Sequence, residues 1–461
     1  LPPQKIWRPR YDLNEVIEAF TVGKDYRLDQ DLVVWDCLGS IAHGTMLQSI
    51  GILNEEELDQ LKAELLSIME DAKEGRFAVK MEDEDVHAAV ESRLIKTLGD
   101  VGKKVHTARS RNDQVLVDLR LFGKAKLLVL ERDLLELSQA LLNLSESHKD
   151  TPMVGRTHTQ RAMPSSVGLW AASFLESLLD DRELLVCAYR INDQCPLGSA
   201  ASYGVPLEID RELTAKLLGF AKVQNNVLYV NNSRGKIASI LLCACVQIMQ
   251  DLAKLAQELI LFSMPEFGYF EIPPELCTGS SMMPQKTNPD GLELTRAKSA
   301  TVLSHLFRVL EIIRTLPTGY NRDGQETKEP FMEGLSLTVA SVRVMALTVS
   351  GLQVCEEKLL AGFHPDVFAT DRALDLVTKG MPFREAYEEV KRSLESLAKL
   401  DPKDTIERRT HQGATGNLGL EALREQIEKY ERDRTQRADD FLQCMETLTG
   451  QAELTFLKGL C

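Results

Sequence analysis

The run Gly279-Ser280-Ser281-Met282-Met283-Pro284-Gln285-Lys286-Thr287-Asn288-Pro289-Asp290 places a pair of hydroxyls and one cation between a flexible glycine and a helix start. Gly279 frees the backbone, Asn288 reads as an N-cap, and Pro289 reads as the first helical residue. A helix starting there aims its free N–H groups back at the loop. A serine beside Lys286 and a positive helix end suits chemistry in which a proton leaves carbon and negative charge builds on a nearby carboxylate. A Ser-Ser pair alone reads more simply as a polar connector. The order of loop, lysine, cap and long helix favours the chemical reading.

Four further polar segments interrupt long apolar patterns. Asp83-Glu84-Asp85-Val86-His87, with Glu91 and Arg93 beyond, is in isolation a solvated helix start with acidic first residues. His106-Thr107-Ala108-Arg109-Ser110-Arg111-Asn112-Asp113-Gln114 offers guanidinium forks and small polar groups ahead of a helix, a way to grip carboxylates. Gly155-Arg156-Thr157-His158-Thr159-Gln160-Arg161 sets an imidazole among hydroxyls; alone it reads as a structural histidine, but its ordinary pKa suits proton transfer. A last group, Tyr320-Asn321-Arg322-Asp323-Gly324-Gln325-Glu326-Thr327-Lys328, could hold a second polar end of a substrate.

The elements that must position these segments are helices. No proline occurs between Pro9 and Pro152, and leucine, glutamate, lysine and alanine dominate. From Asp113 to Lys149, Leu127, Leu130, Leu134, Leu137, Leu141 and Leu144 make one stripe at three-and-four spacing. A second pattern runs from near Ser233 to Phe262, about thirty residues or roughly 45 Å of helix. A third starts at Asn288-Pro289 and stops before Pro317, and a fourth runs from Ser165 to about Leu185. The expectation is an all-α protein of three helical domains. These are an N-terminal part over 1–105, a central long-helix bundle over 106–362 that forms an oligomer core, and a C-terminal part over 363–461 with a turn at Lys379-Gly380-Met381-Pro382.

A chain of 461 residues with 44% hydrophobic content can bury a large core, and its net charge of −15 argues against nucleic acid or an anionic membrane as main partner. An anionic small substrate then needs a local basic pocket. No run of eighteen apolar residues occurs, and Leu1-Pro2-Pro3-Gln4-Lys5 lacks a signal-peptide core, so the expected compartment is the cytoplasm. Nine cysteines without a C-x-x-C pair read as buried free thiols, and no metal-binding spacing joins the eight histidines.

The stretch from Gly279 to Asn288 matches the pattern G-S-S-x-M-P-x-K-x-N and resembles the fumarase/aspartase superfamily. Within it, MPQKTNPD with Glu293 beyond, HTARSRNDQ from His106 and THTQRAMP from Thr157 resemble the argininosuccinate lyase family. The similarity spans most of the chain after about Asp83. It implies reversible β-elimination of argininosuccinate to arginine and fumarate, without metal or organic cofactor. Ser280 is implied as the base, and His158 with Thr157 as the general-acid side. Lys286 and Asn288 would stabilise the carbanion's carboxylate, and Glu293 would partner the histidine. Ser110, Arg111, Asn112, Tyr320, Gln325, Lys328 and Asp85 match substrate-contacting positions, with His87 supporting. The family assembles each site from three chains of a homotetramer. This chain departs from the family pattern where Gly23 in Thr21-Val22-Gly23-Lys24-Asp25 replaces a substrate-touching serine, at Arg156 and Thr159 around the histidine, and at Ser233-Arg234-Gly235-Lys236. Two other readings remain: a sister lyase acting on another succinyl adduct such as adenylosuccinate, and a crystallin-like structural protein. His158, Ser280, Lys286 and Glu293 together speak against lost chemistry.

Overall fold

The computed structural model describes residues 14–397 and 399–451; Leu1 to Lys5 lie outside them. The molecule is a bundle of long helices, with three two-stranded ribbons as its sheet structure among the described residues. Helix Arg111–Ser147, 37 residues and roughly 55 Å long, is the axis. It begins at a reciprocal cap: the Ser110 hydroxyl accepts from the Asn112 N–H, while the Asp113 carboxylate accepts from the Ser110 N–H. The leucine stripe from Leu127 to Leu144 is buried, and so are Val117, Leu121, Leu128, Leu135 and Leu142 on other faces. One stripe implied one partner. Instead, helices Val33–Ser49, Val167–Asn192, Lys328–Gly351 and Leu420–Thr449 all pack against this rod. Each fully buried leucine on this axis contributes about 1.5–3 kcal/mol.

Helix Lys236–Ser263 packs along Asp290–Ile313 and also touches Val167–Asn192 and Lys328–Gly351. Lys236–Ser263 and the run Arg322–Gly351 are long and apolar enough to cross a membrane, but about half of each apolar window is buried inside this chain, as expected of core bundle helices. Gly235, which precedes the first of these, has φ +78°, and a Cβ there would come within 2.4 Å of the Ile313 side chain. That close approach explains why glycine stands in the unusual Ser233–Lys236 segment.

One hydrophobic cluster runs through the N-terminal helices, the bundle and the last long helix, which contributes Ile427, Phe441 and Met445. Smaller clusters form around Phe363 and Phe368, and around Ala373, Ala386 and Val390. Helices Ala369–Thr378 and Phe383–Arg392 are joined through the expected turn, with Gly380 at φ +97°. The eight described cysteines are free, but only Cys37, Cys195 and Cys245 are buried; Cys243 lies two residues from Cys245 and is exposed, because that spacing turns it to the outer side of the helix.

Candidate active site

The serine-bearing loop is closed by a short ribbon in which Thr278 and Gly279 pair with Asn288 and Thr287. This overturns the expected cap. Asn288 is in the ribbon, with its side-chain amide 3.5 Å from the Gly279 carbonyl, and Pro289 takes the N-cap position of Asp290–Ile313 without a side-chain cap. The ribbon claims Asn288 because its backbone pairing closes the loop, leaving proline's fixed φ to turn the chain into the helix. Within the loop, the Ser280 hydroxyl accepts from the backbone N–H groups of Met283 at 3.0 Å and Met282 at 3.3 Å. Two main-chain donors on one serine oxygen favour the charged form of that oxygen. Ser280 is half-buried, and Lys286 and Glu293 are exposed.

His158 stands at the tip of the hairpin Pro152–Thr157/Gln160–Ser166. His158 and Thr159 both have positive φ, +51° and +63°. A two-residue hairpin turn requires this backbone, and each non-glycine residue in it costs about 1–2 kcal/mol. The strain presents the imidazole outward, and Thr157, His158 and Thr159 are all exposed.

A recess of about 610 Å³ lies elsewhere on the chain. Asp85, His87, Ser110, Arg111, Asn112, Tyr320, Gln325 and Lys328 all line it. Three sequence segments up to about 240 residues apart therefore meet at one cavity. Thr157, His158, Ser280, Lys286, Asn288 and Glu293 do not line it, and among the described residues no hydrogen bond or ion pair links His158 to Glu293.

Several of the cavity's charged groups are engaged within the protein. Arg111 lies 3.1 Å from both Glu84 and Asp85, and Arg109 donates to the Ser40 hydroxyl, so the two expected guanidinium forks are engaged by the protein itself. Burial, reinforced by the charges of Arg109 and Arg111, lowers the His106 pKa to about 4, so this wall residue is a neutral imidazole. Burial raises the Asp25 carboxyl to about 6, against the pull of Lys328. Lys328 is fully buried, 2.6 Å from Asp29 and 3.2 Å from Asp25.

Below the cavity, His87 Nδ1 lies 2.8 Å from Asp36 and 3.7 Å from Asp118, all three buried. Among the described residues, the donor atoms of these three come close enough together to hold a metal ion, but His87 Nδ1 is already committed to Asp36. Burial alone would lower the His87 pKa; the Asp36 hydrogen bond and charge, with Asp118, outweigh it and raise it to about 9. The Asp118 carboxyl is pushed up by burial and by Asp36, and neither of its oxygens has a hydrogen-bond partner. The cluster therefore carries an imidazolium against Asp36. Asp36→Ala should lower unfolding stability by about 3 kcal/mol, measured by urea denaturation, because it strands a buried cation. The folded His87 pKa lies above its ordinary 6.5, so the pair's contribution is complete below about pH 6.5 and is lost as pH rises through about 9. The stability gap between wild type and His87→Gln should accordingly narrow over that interval.

Asp25 and Arg234 stand on the cavity wall with no role expected from the sequence. Asp25 and Arg234 do fall inside two of the three departures from the family pattern, which was the available signal. Arg109 and Arg322 stand in segments already singled out.

The fold is a long-helix bundle with a polar cavity lined by three of its polar segments and a separate serine-bearing loop. A family model described as lyase matches residues 15–304. The chain is 44% identical over 384 residues to the argininosuccinate lyase of Thermotoga neapolitana, covering 83% of this chain and 96% of that one. It is 43% identical to that of Sorangium cellulosum, covering 90% and 96%. The chain belongs to the argininosuccinate lyase family and is a carbon–nitrogen lyase. Among solved structures, EDDS lyase in complex with formate is similar in fold, with TM-score 0.79 at 21% identity over 96% of this chain and 95% of that one. A recombinant class II fumarase from Schistosoma mansoni gives 0.68 at 15%, covering 88% and 97%.

Proposed function

We propose that this lyase cleaves argininosuccinate to arginine and fumarate, and does so reversibly, in sites shared between chains of a homotetramer in the cytoplasm. The observation that carries the chemistry is the Ser280 oxygen held by two backbone N–H groups. Serine is a poor base in water, and fixed donors that favour its alkoxide make it a usable one. Ser280 takes a proton from the succinyl Cβ. The electron pair left on carbon delocalises into the adjacent carboxylate, which Lys286 and Asn288 stabilise. The C–N bond then breaks as the double bond of fumarate forms, and His158, with Thr157 beside it and Glu293 as its partner, supplies the proton to the departing guanidino nitrogen. Asp85, Ser110, Arg111, Asn112, Tyr320, Gln325 and Lys328 hold the substrate, and His87 supports that wall from below.

Sharing between chains is supported by the separation of the His158 hairpin and the Ser280 loop from the cavity. It is supported as well by apolar side chains left exposed on bundle helices, among them Leu294, Phe307, Leu310 and Leu347. Free thiols suit a reducing compartment. The direct test is ultraviolet detection of fumarate from purified protein and argininosuccinate. Steady release is expected; turnover of adenylosuccinate with none of argininosuccinate would overturn the reading.

A further inference from the structure

We propose that Asp181 and Asp251, with the Ser177 hydroxyl, bind a hard divalent cation of the Mg²⁺ type, which ties helix Val167–Asn192 to helix Lys236–Ser263. The site is separate from the main cavity, and none of the three residues lines it.

Two acceptors meet here without a donor between them. Asp181 and Asp251 stand on helices packed against each other, and their carboxyl groups lie within hydrogen-bond reach. Asp181 is only 8% exposed, and its Oδ2 has no hydrogen-bond partner among the described residues. The Ser177 hydroxyl donates to Asp251 Oδ2. Ser177 and Asp181 are one helical turn apart, so the hydroxyl and both carboxylates share one groove.

Nothing basic neutralises the pair. Asp180 on the same helix adds negative charge, and no cationic side chain acts on Asp181. Arg182 is engaged elsewhere: Glu131 of helix Arg111–Ser147 and Glu183 accept its N–H groups, and its guanidinium lies 3.8 Å from the centroid of the Tyr430 ring on helix Leu420–Thr449. Arg437 of that last helix also goes to Glu131. Lys254, three residues beyond Asp251, is exposed and makes no ion pair among the described residues.

Two carboxylates in contact and shielded from water cannot both stay ionised unaided. A shared proton is one answer, because burial, with the charges of Asp251 and Asp180, raises the Asp181 carboxyl to about 7. Above that pH the proton leaves and the repulsion returns. A divalent cation neutralises both groups at once, and the all-oxygen donor set suits a hard one. Asp251 and Ser177 are half-buried, which leaves an open side for the waters that Mg²⁺ keeps.

The test takes the native oligomer stripped with a chelator, with Mn²⁺ as a paramagnetic probe. At about pH 8, above the pair's proton, calorimetry and electron paramagnetic resonance should find one Mn²⁺ per chain, displaced by Mg²⁺. Affinity should fall about tenfold at about pH 6, where a proton takes the ion's place. Asp181→Asn and Asp251→Asn should each weaken binding about tenfold or more. Both variants should fold, since each removes one of two repelling charges. Mn²⁺ should raise the Tm of wild type and leave that of the variants unchanged. No Mn²⁺ on wild type at about pH 8 would overturn the proposal. Binding that survives undiminished in both variants would overturn it too, because the ion then sits elsewhere. The wild-type titration decides even if a variant does not fold.

Discussion

Ser280→Ala is expected to lower kcat for fumarate release by about 10²–10⁴-fold, the range for loss of a general base. The fold should survive, because Ser280 is on a half-exposed loop whose closing ribbon, Thr278-Gly279 against Thr287-Asn288, uses backbone pairing that alanine keeps. The variant loses the oxygen on which the Met282 and Met283 N–H groups converge. Those donors then have no anion to stabilise, and the barrier to Cβ deprotonation rises. Ser281 is exposed and makes no such pair of contacts, so Ser281→Ala should keep most of kcat. KM should change little in Ser280→Ala if the hydroxyl acts mainly in the transition state. Full activity in Ser280→Ala, or an equal loss in both variants, would sink the base assignment.

A second large effect is expected from mixing two inactive proteins. His158→Asn and Ser280→Ala, refolded or co-expressed together, should give hybrids roughly tenfold or more above either parent. The argument is geometric. His158 projects from a strained hairpin tip into solvent, Ser280 sits in an exposed loop, and the cavity is formed by other segments of the same chain. If one site draws these parts from different subunits, some hybrid sites receive an intact histidine and an intact serine. If each chain builds its own site, every site keeps one defect and the mixture stays at background. Fumarate release from the purified mixture separates these outcomes, with the mass of the hybrid checked by light scattering.

The helical rods were legible because periodicity reports burial directly. The stripe from Leu127 to Leu144 and the pattern from Ile237 to Phe262 fall within the observed helices Arg111–Ser147 and Lys236–Ser263. Legibility failed where backbone pairing competed with local preference. Asn288-Pro289 has the composition of a cap and first turn, yet Asn288 joins a ribbon. The His158 segment carries no strand signal of its own, yet it is the tip of a hairpin held by pairing from Pro152 with Ser166 to Thr157 with Gln160. The two arginines of the second segment looked like free anion grips. Glu84, Asp85 and Ser40 engage them, a fact that spacing within one segment does not carry.

By itself the sequence determined the helical class, the four polar segments and the residue types for removing a proton from carbon, because propensity, periodicity and side-chain chemistry are local properties. It also carried the family pattern from Gly279 to Asn288. The tertiary structure decided which of those residues share a cavity, and it put Asp25 on the cavity wall while burying Asp29 completely. It also placed His87 between two buried carboxylates and raised its pKa to about 9. Those outcomes depend on burial and on charges brought together from positions as far apart as Asp29 and Lys328. Desolvation and Coulomb interaction act over a few ångströms in space, whatever the distance along the chain.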